Sequence, residues 1–176
     1  MKTVYFVRHG ESEANQQKRL GSRSATPLTK LGRRQILEGA EKAKRDGLII
    51  DVMLVSPLVR AQQSADIIAK VLQPAIIETY DNITEQDLGP YENVSYAEHA
   101  NYLAFERSLQ NKPGVETIES MKNRAQAKIN FLLSRPEKTI LLVSHGSFAP
   151  HLFAAAGSEL IDPEVPIVNG RIMRML

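Results

Sequence analysis

The chain has 176 residues, 43% of them hydrophobic and 24% charged, with a formal net charge of +2, which predicts a globular protein with a single domain over residues 1–176. So small a net charge gives no electrostatic reason to expect binding to nucleic acid or to a membrane surface. The chain contains no cysteine, which excludes disulfides, thiolate metal ligands and a cysteine nucleophile.

Short apolar runs alternate with segments of helical periodicity along the chain. In chain order, the patterns predict a strand at Val4–Val7, a helix from Thr29 to Gly47, a strand at Val52–Val55, a helix at Leu58–Leu72, a strand at Ala75–Ile77, helices at Tyr96–Leu109 and Glu116–Leu133, a strand at Thr139–Val143 and a short helix that ends near Gly157. This alternation predicts an α/β fold, a three-layer α/β/α sandwich with a mainly parallel central sheet.

The last part of the chain has the pattern of a hairpin. Val165–Val168 and Ile172–Leu176 are both strand-like, and the dipeptide Asn169-Gly170 lies between them. Asn-Gly is a preferred two-residue hairpin turn, so we expect a final pair of strands here.

The first strand ends in the polar motif Arg8-His9-Gly10-Glu11. In an open α/β sheet, ligands bind in the crevice beyond the carboxyl ends of the strands. Arg8 supplies a fixed cation there, His9 a nucleophile or proton carrier, and Gly10 allows close approach of the backbone. Taken alone, the motif is equally compatible with an ordinary charged surface turn.

Charged or titratable residues also follow each of the next three predicted strands. Arg60 follows the second strand, Glu85 the third and His145 the fourth. Because parallel strands end at one edge of the sheet, we expect these side chains to converge with Arg8 and His9.

Phosphoryl transfer is the chemistry that needs this set of residues. The transferred group spreads negative charge over its oxygens, and catalysis depends on positioning and on cationic stabilisation. Arg8 and Arg60 can bind phosphate oxygens bidentately, His9 can act as a nucleophile, and Glu85 can exchange a proton with the leaving oxygen and with water.

These residues resemble the motifs of the histidine phosphatase superfamily, which includes the phosphoglycerate mutases. The resemblance spans nearly the whole chain in the order of the family. It covers Arg8-His9-Gly10-Glu11, Asn15, Leu28-Thr29-Lys30-Leu31-Gly32, Gln35, the run from Ser56 to Ala65, Glu85, Gly89, Tyr91, Glu92, Val143-Ser144-His145-Gly146 and Asn169.

The resemblance implies a role for each matching residue. His9 is expected to be the nucleophile that becomes phosphohistidine, and Glu85 the general acid and later the base. Arg8, Arg60 and His145 are expected to surround the phosphate, with Asn15 as a further hydrogen-bond donor. The family uses no metal for this chemistry, so no metal ligand and no cofactor are expected.

The chain departs from the family pattern in places that bear on substrate choice. Tyr91-Glu92-Asn93 stands where Trp-Glu-Gly is frequent, and Gly114-Val115-Glu116-Thr117 where Gly-Gly-Glu-Ser is common. Ser147 and Pro150 stand where relatives frequently carry Gly and Arg. None of these departures changes the five expected catalytic residues.

The leading hypothesis is a metal-independent phosphatase that acts on a small phosphorylated metabolite. A cofactor-dependent phosphoglycerate mutase is the first alternative. The family's mutases have a longer insertion after the Glu85 region and a longer C-terminal tail, whereas this chain has only modest sequence between Glu92 and Val115 and ends at Leu176. A protein phosphohistidine phosphatase and a non-catalytic phosphate-binding module are the others. The presence of Glu85 disfavours the phosphohistidine phosphatase, and the complete set of five residues disfavours the binding module.

Two further expectations concern a basic loop and the location of the protein. Lys18, Arg19 and Arg23 form a basic loop that either binds a second anionic group of the substrate or is simply solvated. The lack of cysteine and of an evident signal peptide or membrane-spanning run makes a cytoplasmic location the expectation. No sequence feature indicates the oligomeric state.

Overall fold

A five-stranded, mostly parallel sheet forms the centre of the molecule. The structure, a computed structural model, describes residues 2–162 and 165–176. The strands are β1 (Thr3–Arg8), β2 (Val52–Val55), β3 (Ile76–Thr79), β4 (Thr139–Ser144) and β5 (Ile172–Arg174), in the order β3-β2-β4-β1-β5. Strands β1 to β4 are parallel, and β5 pairs antiparallel with β1. The carboxyl ends of β1 to β4 therefore share one edge.

The described residues form six α-helices around this sheet. They are α1 (Glu13–Gln16), α2 (Lys30–Arg45), α3 (Val59–Leu72), α4 (Tyr102–Ser108), α5 (Ile118–Ser134) and α6 (Ala149–Ala155). Thr29 caps α2 as predicted, because its Oγ1 accepts a hydrogen bond of 3.0 Å from the Gly32 amide. No helix in the described part of the chain is long and apolar enough to cross a membrane.

The two faces of the sheet bury separate hydrophobic clusters. Alternate residues of the central strands point to opposite faces, so Phe6 and Leu142 pack with α5 and α6, whereas Met53 and Val143 pack with α2 and α3. Because both faces are covered, the central strands are almost wholly buried, as parallel strands usually are. The predicted three-layer α/β/α sandwich is confirmed.

A third, smaller cluster lies over the carboxyl edge of the sheet. It consists of four buried residues, Leu20, Leu88, Leu109 and Val115, with the aromatic rings of Tyr91, Tyr96, Tyr102 and Phe105 packed against them. We call it the cap cluster. It joins α4 to the loops that follow β1 and β3, and so holds these segments above the predicted site.

The predicted C-terminal hairpin is wrong. Residues 165–168, all of them described, form no strand, and β5 pairs with β1 instead. Asn169 makes a parallel bridge to Arg8, and its side-chain amide donates to the His9 carbonyl at 2.6 Å. The open edge of β1 offered backbone partners that the local hairpin would have left unpaired.

One other local expectation needs correction. Residues 96–101 do not join the predicted helix at Tyr96–Leu109, because Asn101 caps α4 by accepting a 3.0 Å hydrogen bond from the Ala104 amide. Gly10 also allows α2 to pack closely, since a Cβ there would collide with the backbone of Gly32 at the start of that helix.

Lys128 is an unusual member of the hydrophobic core. It lies on α5 with only 2% of its surface exposed, and its Nζ has no hydrogen-bond partner among residues 2–162 and 165–176. The Nζ atom lies 2.8 Å from the ring centroid of Tyr80. Burial, helped by the charge of Arg135, lowers the pKa of Lys128 to about 7.

We expect the free energy of unfolding to rise with pH above 7 because of Lys128. Between the folded pKa of about 7 and the unfolded pKa of about 10.4, only the unfolded chain binds this proton, so stability increases across that range. Lys128→Met should stabilise the protein by roughly 1–2 kcal/mol at about pH 6 and flatten the pH dependence. Urea unfolding across this range measures both effects, with exposed Lys122→Met on the same helix as the control. Destabilisation by Lys128→Met at about pH 6 would contradict the expectation.

Candidate active site

His9 lies at the carboxyl end of β1 and is almost fully buried, with 2% of its surface exposed. Its Nδ1 is 2.7 Å from the Gly10 carbonyl oxygen, and its Nε2 is 3.0 Å from Nε of Arg60. A carbonyl only accepts and a guanidinium only donates, so Nδ1 carries the proton and Nε2 accepts. The ring is therefore held as a neutral imidazole with the Nε2 lone pair facing a cation.

Arg60, in the first turn of α3, is held by the loop that follows α1. Its Nη2 donates to the carbonyl of Ser22 at 2.6 Å and its Nη1 to that of Ser24 at 3.2 Å. Only 1% of the residue is exposed. With both ends of the guanidinium fixed, its Nε–H is directed at His9, which explains why an arginine rather than a lysine stands here.

Both histidines of the site are neutral. Burial lowers the pKa of His9 well below its usual value, and the charges of Arg60 and Arg8 lower it further. Burial and Arg60 act in the same direction on the pKa of His145. A neutral His9 retains the lone pair that a nucleophile needs.

His145, at the carboxyl end of β4, lies directly behind His9. The two ring centroids are 5.1 Å apart. Its Nε2 pairs with the Ser56 hydroxyl at 2.7 Å, and its buried Nδ1 has no hydrogen-bond partner in the described part of the chain. If Ser56 donates to Nε2, Nδ1 carries the proton and can donate to an anion beside His9.

Arg8 also holds an unused donor. Its Nη1 donates to the Ile167 carbonyl at 2.8 Å, whereas its buried Nε has no partner within the described ranges. The guanidinium packs against Gly146, where a Cβ would lie 3.1 Å from the Arg8 Nε. Buried polar atoms normally have hydrogen-bond partners. The Nε of Arg8 and Nδ1 of His145, unpartnered among the described residues, therefore point to an anionic ligand between these two side chains.

Glu85 is held by backbone amides from two different loops. Its Oε1 accepts from the amides of Gln86 and Phe148, both at 3.0 Å, and its Oε2 from that of Ser147 at 3.2 Å. The residue is buried, with 9% of its surface exposed. These contacts fix the carboxylate at the mouth of the site.

Arg124 on α5 braces the two loops that hold Glu85. Its Nη1 donates to the Thr84 carbonyl at 2.8 Å, and its guanidinium carbon lies 3.8 Å from the ring centroid of Phe148. Its Nη2 forms a 2.9 Å ion pair with Glu116. No local pattern in the sequence indicates this residue, because an arginine in the middle of an amphipathic helix looks like an ordinary surface charge.

Asn15 and the basic loop border the cleft. The Oδ1 atom of Asn15 accepts from the Ser12 amide at 3.1 Å, which fixes the side chain at the start of α1. Arg19 lines the cleft and donates to the Asn93 carbonyl at 2.9 Å, whereas Arg23 reaches Asp87 at 3.6 Å. Arg23 thus joins two loops.

The structure brings the predicted site residues together. Arg8, His9, Asn15, Arg60 and Glu85 line one narrow cleft, and His145 lies beneath it. Tyr102 and Glu106 of α4 also line the cleft, and neither was predicted from the sequence. The described residues include no group of three or more histidine, aspartate or glutamate side chains placed to hold a metal ion.

Comparison with known proteins assigns the family. Residues 4–162 match the Histidine phosphatase superfamily (branch 1). "Probable phosphoglycerate mutase GpmB" of Proteus mirabilis is 37% identical over 83% of this chain and 70% of its own length. "Uncharacterized phosphatase PhoE" of Bacillus subtilis is 34% identical over 94% of this chain and 81% of its own. The chain therefore belongs to the histidine phosphatase superfamily, and the expected class of enzyme is confirmed.

Solved structures agree with this fold. The alpha-ribazole phosphatase of Shigella flexneri superimposes with a TM-score of 0.78 at 23% identity, covering 98% of this chain and 89% of that one. A mycobacterial glucosyl-3-phosphoglycerate phosphatase gives a TM-score of 0.78 at 21% identity, covering 99% and 92%. At this level of identity the likeness establishes the shared fold.

We expect neither His9 nor His145 to titrate in the ordinary range of histidine. Because the pKa of each is lowered, both rings should stay neutral as the pH falls from about 8 to about 6. Imidazole nitrogen shifts measured by NMR test this, with the same protein unfolded in urea as the reference that titrates near 6.5. A midpoint near 6.5 for His9 in the folded protein would contradict the expectation.

Proposed function

We propose that the protein is a metal-independent phosphomonoester hydrolase that forms a phosphohistidine on His9 and acts on a small phosphorylated metabolite. The observation that carries the proposal is the set of buried donors around a neutral His9. The Nε atom of Arg8 and Nδ1 of His145 lack hydrogen-bond partners within the described residues, and Arg60 already donates to the His9 Nε2. A bound phosphoryl group would satisfy all three donors.

In the first step, the Nε2 lone pair of His9 attacks phosphorus, and the bond from phosphorus to the ester oxygen breaks. Arg60 transfers its hydrogen bond from Nε2 to a phosphoryl oxygen as the substrate binds. Glu85 in its acid form gives its proton to the departing oxygen, so the products are a neutral alcohol and phosphohistidine.

In the second step, Glu85 acts as the base. Its carboxylate takes a proton from water as the water oxygen attacks phosphorus, the bond between nitrogen and phosphorus breaks, and inorganic phosphate leaves. His9 returns to the neutral form with its lone pair on Nε2, and Glu85 is again an acid. Side-chain cations hold the charge of the phosphoryl group throughout.

The main alternative is phosphoryl transfer back to a second hydroxyl, as a mutase performs. One relative of this chain carries the name of a phosphoglycerate mutase and another that of a phosphatase. The two reactions differ in product. Phosphate release that does not depend on added bisphosphoglycerate supports the hydrolase, and isomerisation that requires it supports the mutase.

We expect His9→Ala to reduce the hydrolysis of p-nitrophenyl phosphate by roughly 10³-fold or more, because the nucleophile is lost. The assay is run with a chelator present, and release of p-nitrophenol is measured. Glu41→Gln, a substitution at an exposed position of α2, is the control and should keep the wild-type activity. Full activity in His9→Ala would exclude the phosphohistidine route, and loss of wild-type activity in chelator would exclude metal independence.

Glu85→Gln should slow turnover to an extent that depends on how basic the leaving group is. Alkyl phosphates need protonation of a basic alkoxide, so we expect a loss of about 10²–10⁴-fold for them and a much smaller loss for p-nitrophenyl phosphate. Values of kcat for both substrates, in variant and wild type, give the comparison. An equal loss for both would assign the proton donor to another group.

A further inference from the structure

A second chamber adjoins the catalytic cleft and shares four lining residues with it. The shared residues are Arg8, Gln86, Tyr102 and Glu106. The chamber has a volume of about 160 Å³, and its lining includes the apolar side chains of Leu103, Met121 and Ile167. This volume lies below the range of about 300–1,000 Å³ that is usual for drug-sized ligands, so the chamber suits a small organic group.

Glu106 lines the chamber, and its carboxyl group has no role in the proposed chemistry. The Oε1 atom of Glu106 accepts hydrogen bonds from the Tyr102 hydroxyl at 2.8 Å and from the Ser147 hydroxyl at 2.6 Å. Burial raises the pKa of Glu106, and the nearby charge of Glu85 raises it further. Both hydroxyls can donate to the carboxylate, which becomes the populated form as the pH rises.

Ser147 connects this carboxylate to the proposed leaving-group acid. Its amide donates to Oε2 of Glu85, and its hydroxyl donates to Oε1 of Glu106. In an in-line displacement the leaving oxygen departs on the side opposite the attacking atom, here Nε2 of His9, and the proposed function assigns the proton for that oxygen to Glu85. Because Ser147 contacts both Glu85 and Glu106 and lines the chamber, a leaving group protonated by Glu85 would lie next to the chamber.

The cationic and titratable groups of the chamber do not cancel this charge. Arg8 binds the phosphoryl group in the proposed reaction, and the side chain of Arg107 is exposed to solvent. Burial and the charge of Lys122 lower the pKa of His151, which keeps that ring neutral. Glu106 is the acidic side chain among the lining residues of the chamber.

We propose that the chamber is the leaving-group subsite and that Glu106 selects phosphomonoesters whose alcohol portion carries hydroxyl or ammonium groups over those that carry a carboxylate there. The inference rests on the proposed function and specifies its substrate class. A hydroxyl or ammonium group can donate to the Glu106 carboxylate, whereas a substrate carboxylate beside it is repelled and loses water without a partner.

Two matched pairs of esters test the selection on the alkaline side of neutrality, because burial raises the pKa of Glu106 and the carboxylate form is populated as the pH rises. Glycerol 3-phosphate and 3-phosphoglycerate differ in a hydroxymethyl group against a carboxylate, and phosphoethanolamine and phosphoserine differ by one carboxylate. Each is measured for turnover and as a competitor of p-nitrophenyl phosphate, so that an ester that binds without reacting is also scored. We expect the carboxylate-free member of each pair to be favoured by about tenfold or more.

Glu106→Gln tests the residue itself. The preference within each pair should fall several-fold in this variant, whereas exposed Glu41→Gln should keep the wild-type preference. Equal use of both members by the wild type, a preference for the carboxylates, no binding of any of the four esters, or an unchanged preference in Glu106→Gln would each overturn the inference. If Glu106→Gln fails to fold, the wild-type comparison decides alone. Absence of p-nitrophenyl phosphate hydrolysis by the wild type would instead reject the proposed function.

Discussion

The hydrogen bond from Arg60 to His9 is the contact on which the rest of the site depends. It spans 3.0 Å and joins the first turn of α3 to the end of β1. Because Arg60 is itself fixed by the carbonyls of Ser22 and Ser24, this bond sets the position of the His9 lone pair. The same cation also disfavours protonation of the ring. A single buried arginine thus orients the proposed nucleophile, adds to the effect of burial in keeping it neutral, and can stabilise the incoming phosphoryl group.

The parallel sheet makes this arrangement possible. Arg8 and Ser144 are paired in register at the ends of β1 and β4, so His9 and His145 follow side by side. The proposed acid is positioned differently. Glu85 lies on an irregular loop, and its carboxylate is fixed by amides that follow β4, while Arg124 of α5 braces both segments. Arg8 and His145 are therefore positioned by strand ends, Arg60 by the first turn of α3, and the proposed acid by contacts between loops.

Much of the fold and most of the site could be predicted because their signals are local. Buried strands, the Thr29 cap and residues at strand ends all leave patterns within a few neighbouring positions. The C-terminal hairpin failed because β5 pairs with β1, far away in sequence. Glu106 and Arg124 were missed for the same reason. Their partners, Ser147 and Thr84, are distant along the chain, and each residue alone looks like an ordinary charge on a helix.

The most direct test of the central claim is to look for the phosphoryl group on the enzyme. The protein is mixed with an ester labelled in its phosphorus atom, the reaction is quenched within the first turnover, and the attached label is located by peptide mass spectrometry. We predict a phosphoramidate on His9 that is stable to base, labile to acid and lost on further incubation with water. Hydrolysis at the normal rate with no label on His9, or with label on another residue, would contradict the account.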